Sequence, residues 1–318
     1  MSLFTPRNVL YLSILAGLST LVLKSYAYWI TDSISLLSDA AESVINLIAA
    51  IIAFIAIRLS ERPADDTHTY GHEKIEYFSS GFEGALILFA AFSIGLMGVH
   101  RLISPQPLQT LEIGMIISFA ASLINGVVAI ILLIVGKKHQ SIVLEADGQH
   151  LLTDVYTTCG VLIGLFFAKI TGVEWIDPVL AIGVSLIILT TSLQLIWKSF
   201  KGLMDHALPE NELKIIREII TQNLEPEMTF HELRSRQAGP KKFVDFHLLL
   251  PGILSIKVGH QLMEKIEHAI KSQVKDCQVQ IHAEPIEDPT SWEDNVLTNF
   301  EKKNAKLLSI KKPIPCIA

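Results

Sequence analysis

The sequence predicts a membrane domain of six α-helices followed by a small α+β domain. Of the 318 residues, 50% are hydrophobic and only 18% are charged, which is too apolar for an ordinary soluble protein of this length. The apolar residues are concentrated in six runs, and the chain becomes charged after them. We therefore divide it into a membrane domain at residues 1–205, a second domain at 206–287 and a tail at 288–318 that is predicted to be disordered.

Each apolar run is long enough to cross a bilayer, because a helix needs roughly 20 apolar residues to span the hydrocarbon core. Most lysine and arginine residues near the helix ends lie on the side that holds both termini. Since positive residues are retained on the cytoplasmic side, we expect both termini to be cytoplasmic. The six runs are Val9–Ile30, Ser33–Ile57, Tyr77–Leu102, Ile113–Val135, Ile142–Ile170 and Ile176–Trp197.

The second domain alternates helical and strand-like patterns at lengths typical of soluble proteins. The whole protein carries a net charge of -6, which argues against nucleic-acid binding. The three cysteines lack CxxC spacing and imply no disulfide framework. The predicted elements are a helix at Glu210–Gln222, strands at Phe230–Arg236 and Phe243–Leu250, a helix at Ser255–Val274 and a strand at Gln278–His282.

An internal repeat joins the second and fifth runs. The sequences SDAAESVIN and ADGQHLLTD both read Asp-x-x-ligand-x-x-x-ligand, with ligand positions at Glu42 and Asn46 in one copy and His150 and Asp154 in the other. Three helices separate the copies, so the two halves of the domain are predicted to have inverted topology. Many secondary transporters use this arrangement around a midplane substrate site.

The chemistry of the repeat suits a divalent metal ion. Residues four apart lie on one helical face, so the two pairs can present four ligands to a shared cleft. Imidazole and carboxylate ligands suit Zn²⁺, and the large share of oxygen also admits Fe²⁺, Co²⁺ or Mn²⁺. With neutral His150, Glu42 and Asp154 would balance the two charges of the ion. Helix–helix hydrogen bonding is the alternative, but matched charged pairs in spanning helices favour transport.

Other polar residues of the membrane domain are less informative. Asp39 and Asp147 lie one turn before the ligand positions, and we expect them to face the aqueous entrance rather than line the water path. Lys24 and Glu83 receive no specific role. In the loop after the second run, Asp65, His68 and His72 offer three ligands at close spacing, which indicates either a zinc site or a solvated polar loop.

The second domain holds four histidines and a carboxylate near predicted strand ends and on a helix. So many potential ligands in a small domain favour bound metal over core packing. The residues are His231, His247, His260, His282 and Glu284.

Several motifs occur in a specific order along residues 9–285, and with them the chain resembles the cation diffusion facilitator family, most closely its bacterial zinc- and iron-transporting members. The resemblance implies a homodimer with an αββαβ, metallochaperone-like cytoplasmic domain and metal/proton antiport by alternating access. It assigns metal binding to the three groups above and an interprotomer salt bridge to Lys74 and Asp205. The motifs are SLLSDAAESVIN, RPADDTHTYGHEK, EADGQHLLTDV, LMDHALP, FHELRSRQAGP and VQIHAEP.

The sequence departs from the family pattern on the second helix. Relatives commonly have Asp or His followed by Asp, where this chain has Glu42 and Asn46. The resulting set of three oxygens and one nitrogen leaves Zn²⁺, Fe²⁺, Co²⁺, Mn²⁺ and Cd²⁺ open as substrates. Ala283 and Glu284 stand where relatives often have Gln and Asp.

The predicted function is efflux of a divalent cation, most simply Zn²⁺, across the bacterial cytoplasmic (inner) membrane in exchange for protons. The chain would be a secondary active transporter and not an enzyme, since a metalloprotease would require a motif such as HExxH, which is absent. His150 is the natural proton acceptor, because imidazole must be neutral to bind metal. The alternative is a membrane-tethered metal sensor, which would bind ions without moving them.

Overall fold

The structure is a computed structural model that describes residues 5–31, 34–104, 112–171 and 175–293. The chain divides into two compact units, one ending at Met204 and the other starting at Asp205. Each unit has its own apolar core. In the predicted tail, Pro289–Trp292 form a 3₁₀ helix, and residues 294–318 lie outside the described residues.

The first unit consists of six long helices at the positions that the apolar runs predict. Hydropathy and length alone identify four of them as able to cross a membrane within the described residues: α1, α3, α4 and α6. Within the described side chains, α2 contributes a shorter apolar segment, Asn46–Ser60, and both α2 and α5 carry the polar repeat. The helices are α1 (Pro6–Thr31), α2 (Ile34–Ser60), α3 (Ile75–Ile103), α4 (Glu112–His139), α5 (Ile142–Thr171) and α6 (Ile176–Leu203).

The helices pack as two related halves. Helix α1 packs against α4, α2 against α5 and α3 against α6, so each helix contacts its counterpart in the other half. One apolar cluster joins α1, α2, α4 and α5, and another joins α3, α5 and α6. Large apolar side chains such as Phe89, Phe92 and Ile134 remain more than half exposed on the outside of this unit. An exposed apolar surface of this kind is expected of a bundle that faces lipid.

Close approach of α4 and α5 depends on Gly148. A Cβ atom at this position would lie 2.9 Å from Cγ of Leu133 and 3.2 Å from the carbonyl oxygen of Ala129. Because Gly148 stands between Asp147 and His150, its small size lets the polar part of α5 lie directly against α4.

The second unit is an αββαβ domain with a three-stranded sheet of order β1-β2-β3. Strand β2 pairs antiparallel with β1 and parallel with β3, and α8 makes the crossover that a parallel pair requires. The predicted elements lie within two residues of the observed ones at most ends. They are α7 (Glu210–Gln222), β1 (Thr229–Ala238), β2 (Lys241–Leu250), α8 (Ile256–Gln273) and β3 (Cys277–Pro285).

Alternation along β2 separates the two faces of this sheet. Phe246 and Leu248 are buried in one core with Ile216 of α7 and Ile266 of α8, so the helices cover that face. Side chains at the intervening positions of β2 point to the opposite face, which includes His247. The histidine-bearing face is therefore the one that the helices leave uncovered.

Candidate functional site

Helices α2 and α5 bring three of the four predicted transport ligands into one buried hydrogen-bond network. Asn46, His150 and Asp154 are 4%, 7% and 5% exposed. The amide nitrogen of Asn46 donates a short hydrogen bond to Oδ2 of Asp154, and Nε2 of His150 lies 2.6 Å from the amide oxygen of Asn46. Glu42 lies in α2, but its side chain lies outside the described part of the structure.

The network determines which nitrogen of His150 carries the proton. Asp154 accepts from the Asn46 amide, so the amide oxygen of Asn46 must face His150. An amide oxygen can only accept, and Nε2 of His150 therefore donates. Nδ1 of His150 is buried without a hydrogen-bond partner among the described residues. The imidazole thus holds an available lone pair inside the bundle.

A fourth polar residue, Asn125 of α4, joins this network and was missed by the sequence analysis. It is 1% exposed, and its amide nitrogen donates to Oδ2 of Asp154 at 3.2 Å. Its amide oxygen is buried without a hydrogen-bond partner in the described residues. The sequence offered one signal for Asn125: it is an amide within the apolar run of α4, and polar groups inside spanning helices are commonly functional.

The predicted loop ligands Asp65, His68 and His72 lie together between α2 and α3. Each offers one donor atom within 4.8 Å of the others. Nε2 of His72 lies 3.3 Å from Oδ2 of Asp65, and the two imidazole rings have centroids 4.5 Å apart. Asp65 and His68 are exposed, and His72 is partly buried.

Local hydrogen bonds prepare Asp65 as an ionised group. Its Oδ1 accepts from the Thr67 hydroxyl at 2.8 Å, the Thr67 backbone N–H at 2.9 Å and the His68 backbone N–H at 2.7 Å. The Thr67 hydroxyl, followed by the His68 N–H, holds the pKa of Asp65 well below its usual range. Oδ1 is occupied by these donors, which leaves Oδ2 directed toward His72.

The sheet register of the second unit aligns three predicted histidines in one row. His231 of β1 pairs with His247 of β2, which pairs with His282 of β3. Glu284 lies two residues after His282 and therefore on the same face. Its Oε2 is 3.2 Å from His231, and its Oε1 is 3.2 Å from His247 and 3.5 Å from His282.

Three of these residues, His231, His247 and Glu284, form a compact group of potential metal ligands. The Nδ1 atom of His247 lies 3.2 Å from Oε1 of Glu284 and has no hydrogen-bond partner among the described residues. His260 is not brought to the group: it lies on α8 beside Glu264, 3.9 Å away. Its predicted role stays a prediction.

The structure also shows the environments of Cys277 and Asp205 in the second unit. Burial raises the pKa of the Cys277 thiol to about 11, so the thiol is neutral near physiological pH and is not a ready metal ligand. Asp205 lies 3.5 Å from Arg236 of β1. The predicted salt bridge between Lys74 and Asp205 joins two protomers and stays a prediction.

These features define a polytopic membrane protein with clusters of potential metal ligands in both units. A family model described as the cation efflux transmembrane domain matches residues 10–204, and one described as the cytoplasmic domain of cation efflux proteins matches residues 208–286. The chain belongs to the cation efflux family, whose members move divalent metal ions. The family resemblance and the fold class predicted from the sequence are confirmed.

Individual proteins are also similar to this chain. The uncharacterized transporter sll1263 of Synechocystis is 46% identical over 287 residues, covering 90% of this chain and 93% of that protein. The cation-efflux pump FieF of Citrobacter koseri is 30% identical over 280 residues, covering 88% of this chain and 92% of the pump. A solved structure of CzrB is 32% identical over 24% of this chain and 96% of that chain, with a TM-score of 0.24.

Proposed function

We propose that the chain exports Zn²⁺ from the bacterial cytoplasm across the inner membrane in exchange for protons, as a homodimer that works by alternating access. Both termini and the second unit would lie in the cytoplasm. The observation that carries this proposal is the buried network of Asn46, His150 and Asp154, which combines imidazole, carboxylate and amide groups between two helices of the membrane unit.

The network supports competition between metal and protons. Without bound metal, the side-chain amide of Asn46 is hydrogen-bonded to both His150 and Asp154. An ion that enters the site would draw on Asp154, on an imidazole nitrogen and on Glu42, replacing these hydrogen bonds with metal–ligand bonds. Metal binding requires neutral imidazole and ionised carboxylate, so protons from the outer side would favour release. Fe²⁺, Co²⁺, Mn²⁺ and Cd²⁺ remain alternative substrates on this chemistry.

The cytoplasmic row and the loop group would serve regulation. A metal ion held by His231, His247 and Glu284, with His282 beside them, would favour one arrangement of the protomers only to the extent that its affinity differs between arrangements. This row also supports a second candidate function, a membrane-tethered metal sensor. That function would require metal binding without net movement across the bilayer.

The decisive experiment is metal uptake into inside-out proteoliposomes under an imposed pH gradient, with each divalent ion tested on the wild type and on Asp154→Ala. We expect Zn²⁺ uptake to follow the gradient and to disappear in the variant. Ser192→Ala, a buried hydroxyl substitution on α6, is the control and should retain uptake. Zinc that binds to the wild type without ever crossing would contradict the transporter and support the sensor.

A further inference from the structure

Two buried carboxyl groups of the membrane unit have no place among the predicted metal ligands. Glu83 of α3 is fully buried, and Asp147 of α5 is 1% exposed. Both carboxylate oxygens of Glu83 and Oδ2 of Asp147 lack a hydrogen-bond partner in the described residues. An ionised carboxylate buried without a donor or a cation is strongly unfavourable, so Glu83 requires a bound proton or ion, and ionised Asp147 would have at most a partial set of donors.

The isolation of Glu83 is specific to its position. Seven residues earlier, on the same face of α3, Glu76 is almost as deeply buried. Its two oxygens accept hydrogen bonds from the Ser60 hydroxyl at 3.3 Å and the Ser141 hydroxyl at 2.7 Å. Glu76 therefore has hydrogen-bond donors, whereas Glu83 has none among the described residues.

Glu83 and Asp147 lie on two helices that pack against each other, α3 and α5. Ile87, one turn beyond Glu83, and Ala146, next to Asp147, belong to a single apolar cluster. Two like charges in such surroundings cannot both persist, and a carboxyl pair of this kind binds protons as one coupled unit.

The charged groups on neighbouring helices do not replace the missing partner of Glu83. Lys198 of α6 is held by Glu145 at 2.5 Å, and Glu76 has its serine donors. Other titratable groups on these helices include Lys24 of α1, which is buried and has an interaction of its own, and His150 and Asp154 of α5. The side chains of Asp39 and Glu42 of α2 lie outside the described part of the structure.

The chemistry of the pair favours a proton over a metal ion. Zn²⁺ takes about four ligands and hard cations take about six or more, whereas the pair offers two carboxyl groups. Within the described ranges, histidine and carboxylate side chains gather in threes in the loop and in the second unit, and neither group includes Glu83 or Asp147.

We propose that Glu83 and Asp147 share one proton and form a second proton-binding site, which loads and releases that proton once in each transport cycle. The proposal rests on the proposed proton-coupled function and adds a site that is separate from the four predicted metal ligands. Asp147 lies three residues before His150, about one helical turn away, so the charge of the pair can affect the metal site through space.

Infrared spectroscopy of the full chain in lipid vesicles tests the shared proton directly. At neutral pH we expect the C=O stretch of a protonated carboxyl group in the wild type, and a clear decrease of its intensity in the double variant Glu83→Gln, Asp147→Asn. Glu145→Gln is the matched control on α5 and should leave the band unchanged, because Glu145 forms a salt bridge with Lys198. A wild type without the band, or a double variant with the wild-type intensity, overturns the proposal. Should the double variant fail to assemble, Glu83→Gln alone should change the position or intensity of the band, and an unchanged band overturns the proposal.

Proton and zinc fluxes in the same vesicles test the coupling. The double variant should still exchange Zn²⁺ but move one proton fewer per ion than the wild type. An unchanged ratio overturns the role in coupling while the proposed antiport stands. A wild type that moves zinc without protons contradicts the proposed antiport and, with it, the role of the pair in coupling. The infrared band tests the shared proton independently of that result.

Equilibrium dialysis with Zn²⁺ separates a proton site from a metal site. The double variant should bind as many zinc ions as the wild type. One ion fewer would identify Glu83 and Asp147 as metal ligands and overturn the proposal.

Discussion

The membrane network and the cytoplasmic histidine row use similar side chains in opposite surroundings. In the membrane unit, Asn46, His150 and Asp154 are all at most 7% exposed. Along the cytoplasmic row, exposure of the side chain rises from 2% at His231 to 26% at His247 and 66% at His282. One site is sealed inside a bundle, and the other opens directly to water.

The two sites are also assembled by different geometry. Helical spacing of three to four residues brings His150 and Asp154 together on α5, so a single helix supplies two ligands. Cross-strand register brings His231, His247 and His282 together, so each comes from a different strand. Burial forces the membrane site to be neutralised by metal or protons, whereas water can solvate the cytoplasmic row in either state. The comparison supports the proposal that the first site transports metal and the second senses it.

The largest effect is expected from His150→Ala. Loss of the imidazole removes a metal ligand and the predicted proton acceptor at once, so zinc transport in proteoliposomes should fall by about 100-fold or more. Dimer formation, measured by light scattering in detergent, should be unchanged. Normal transport by this variant would contradict the assignment of the membrane network.

A smaller loss is expected from Asn125→Ala. Asn125 positions Asp154 through one hydrogen bond, and loss of such a supporting contact typically lowers metal affinity or activity by about 10-fold. The apparent KM for Zn²⁺ should rise more than kcat falls, because the ligand remains present but less well oriented. Ser122→Ala, one turn earlier on α4, is the control. Equal effects of both substitutions would indicate a packing defect instead.

Substitution of His247 should separate metal binding from transport. His247→Ala removes the central residue of the row, so we expect the metal content of the purified chain to fall while transport declines by only a few-fold, about 2- to 5-fold. His260→Ala is the control, and elemental analysis measures both. A similar loss of bound metal in His260→Ala would mean that another arrangement brings this residue to the site.

The smallest effect is expected in the exposed loop. Thr67→Val removes the hydroxyl that contributes most to stabilising ionised Asp65, so the pKa of Asp65 should rise toward its usual range. An NMR titration of the carboxyl carbon would measure this shift. Near neutral pH Asp65 remains ionised in either case, and zinc transport should be unchanged. A marked loss of transport would mean that the loop takes part in the transport cycle.

Much of the architecture follows from the sequence because it depends on local periodicity. Long apolar runs predict the six helices, and alternation predicts the strands of the second unit. The repeat identifies Asn46, His150 and Asp154 because residues four apart share a helical face. Asn125 escaped notice because it has no partner at a recognisable spacing. Its role depends on how α4 packs against α5.

The sequence by itself therefore determined the class of protein, the two-part organisation and the candidate ligands, since composition and spacing are properties of the chain alone. Tertiary structure decided which candidates meet. It brought His231 and Glu284 together through strand register, left His260 on a separate helix, and buried Glu83 without a hydrogen-bond donor among the described residues. These outcomes depend on contacts between residues far apart in the chain, and on burial, which only packing can define.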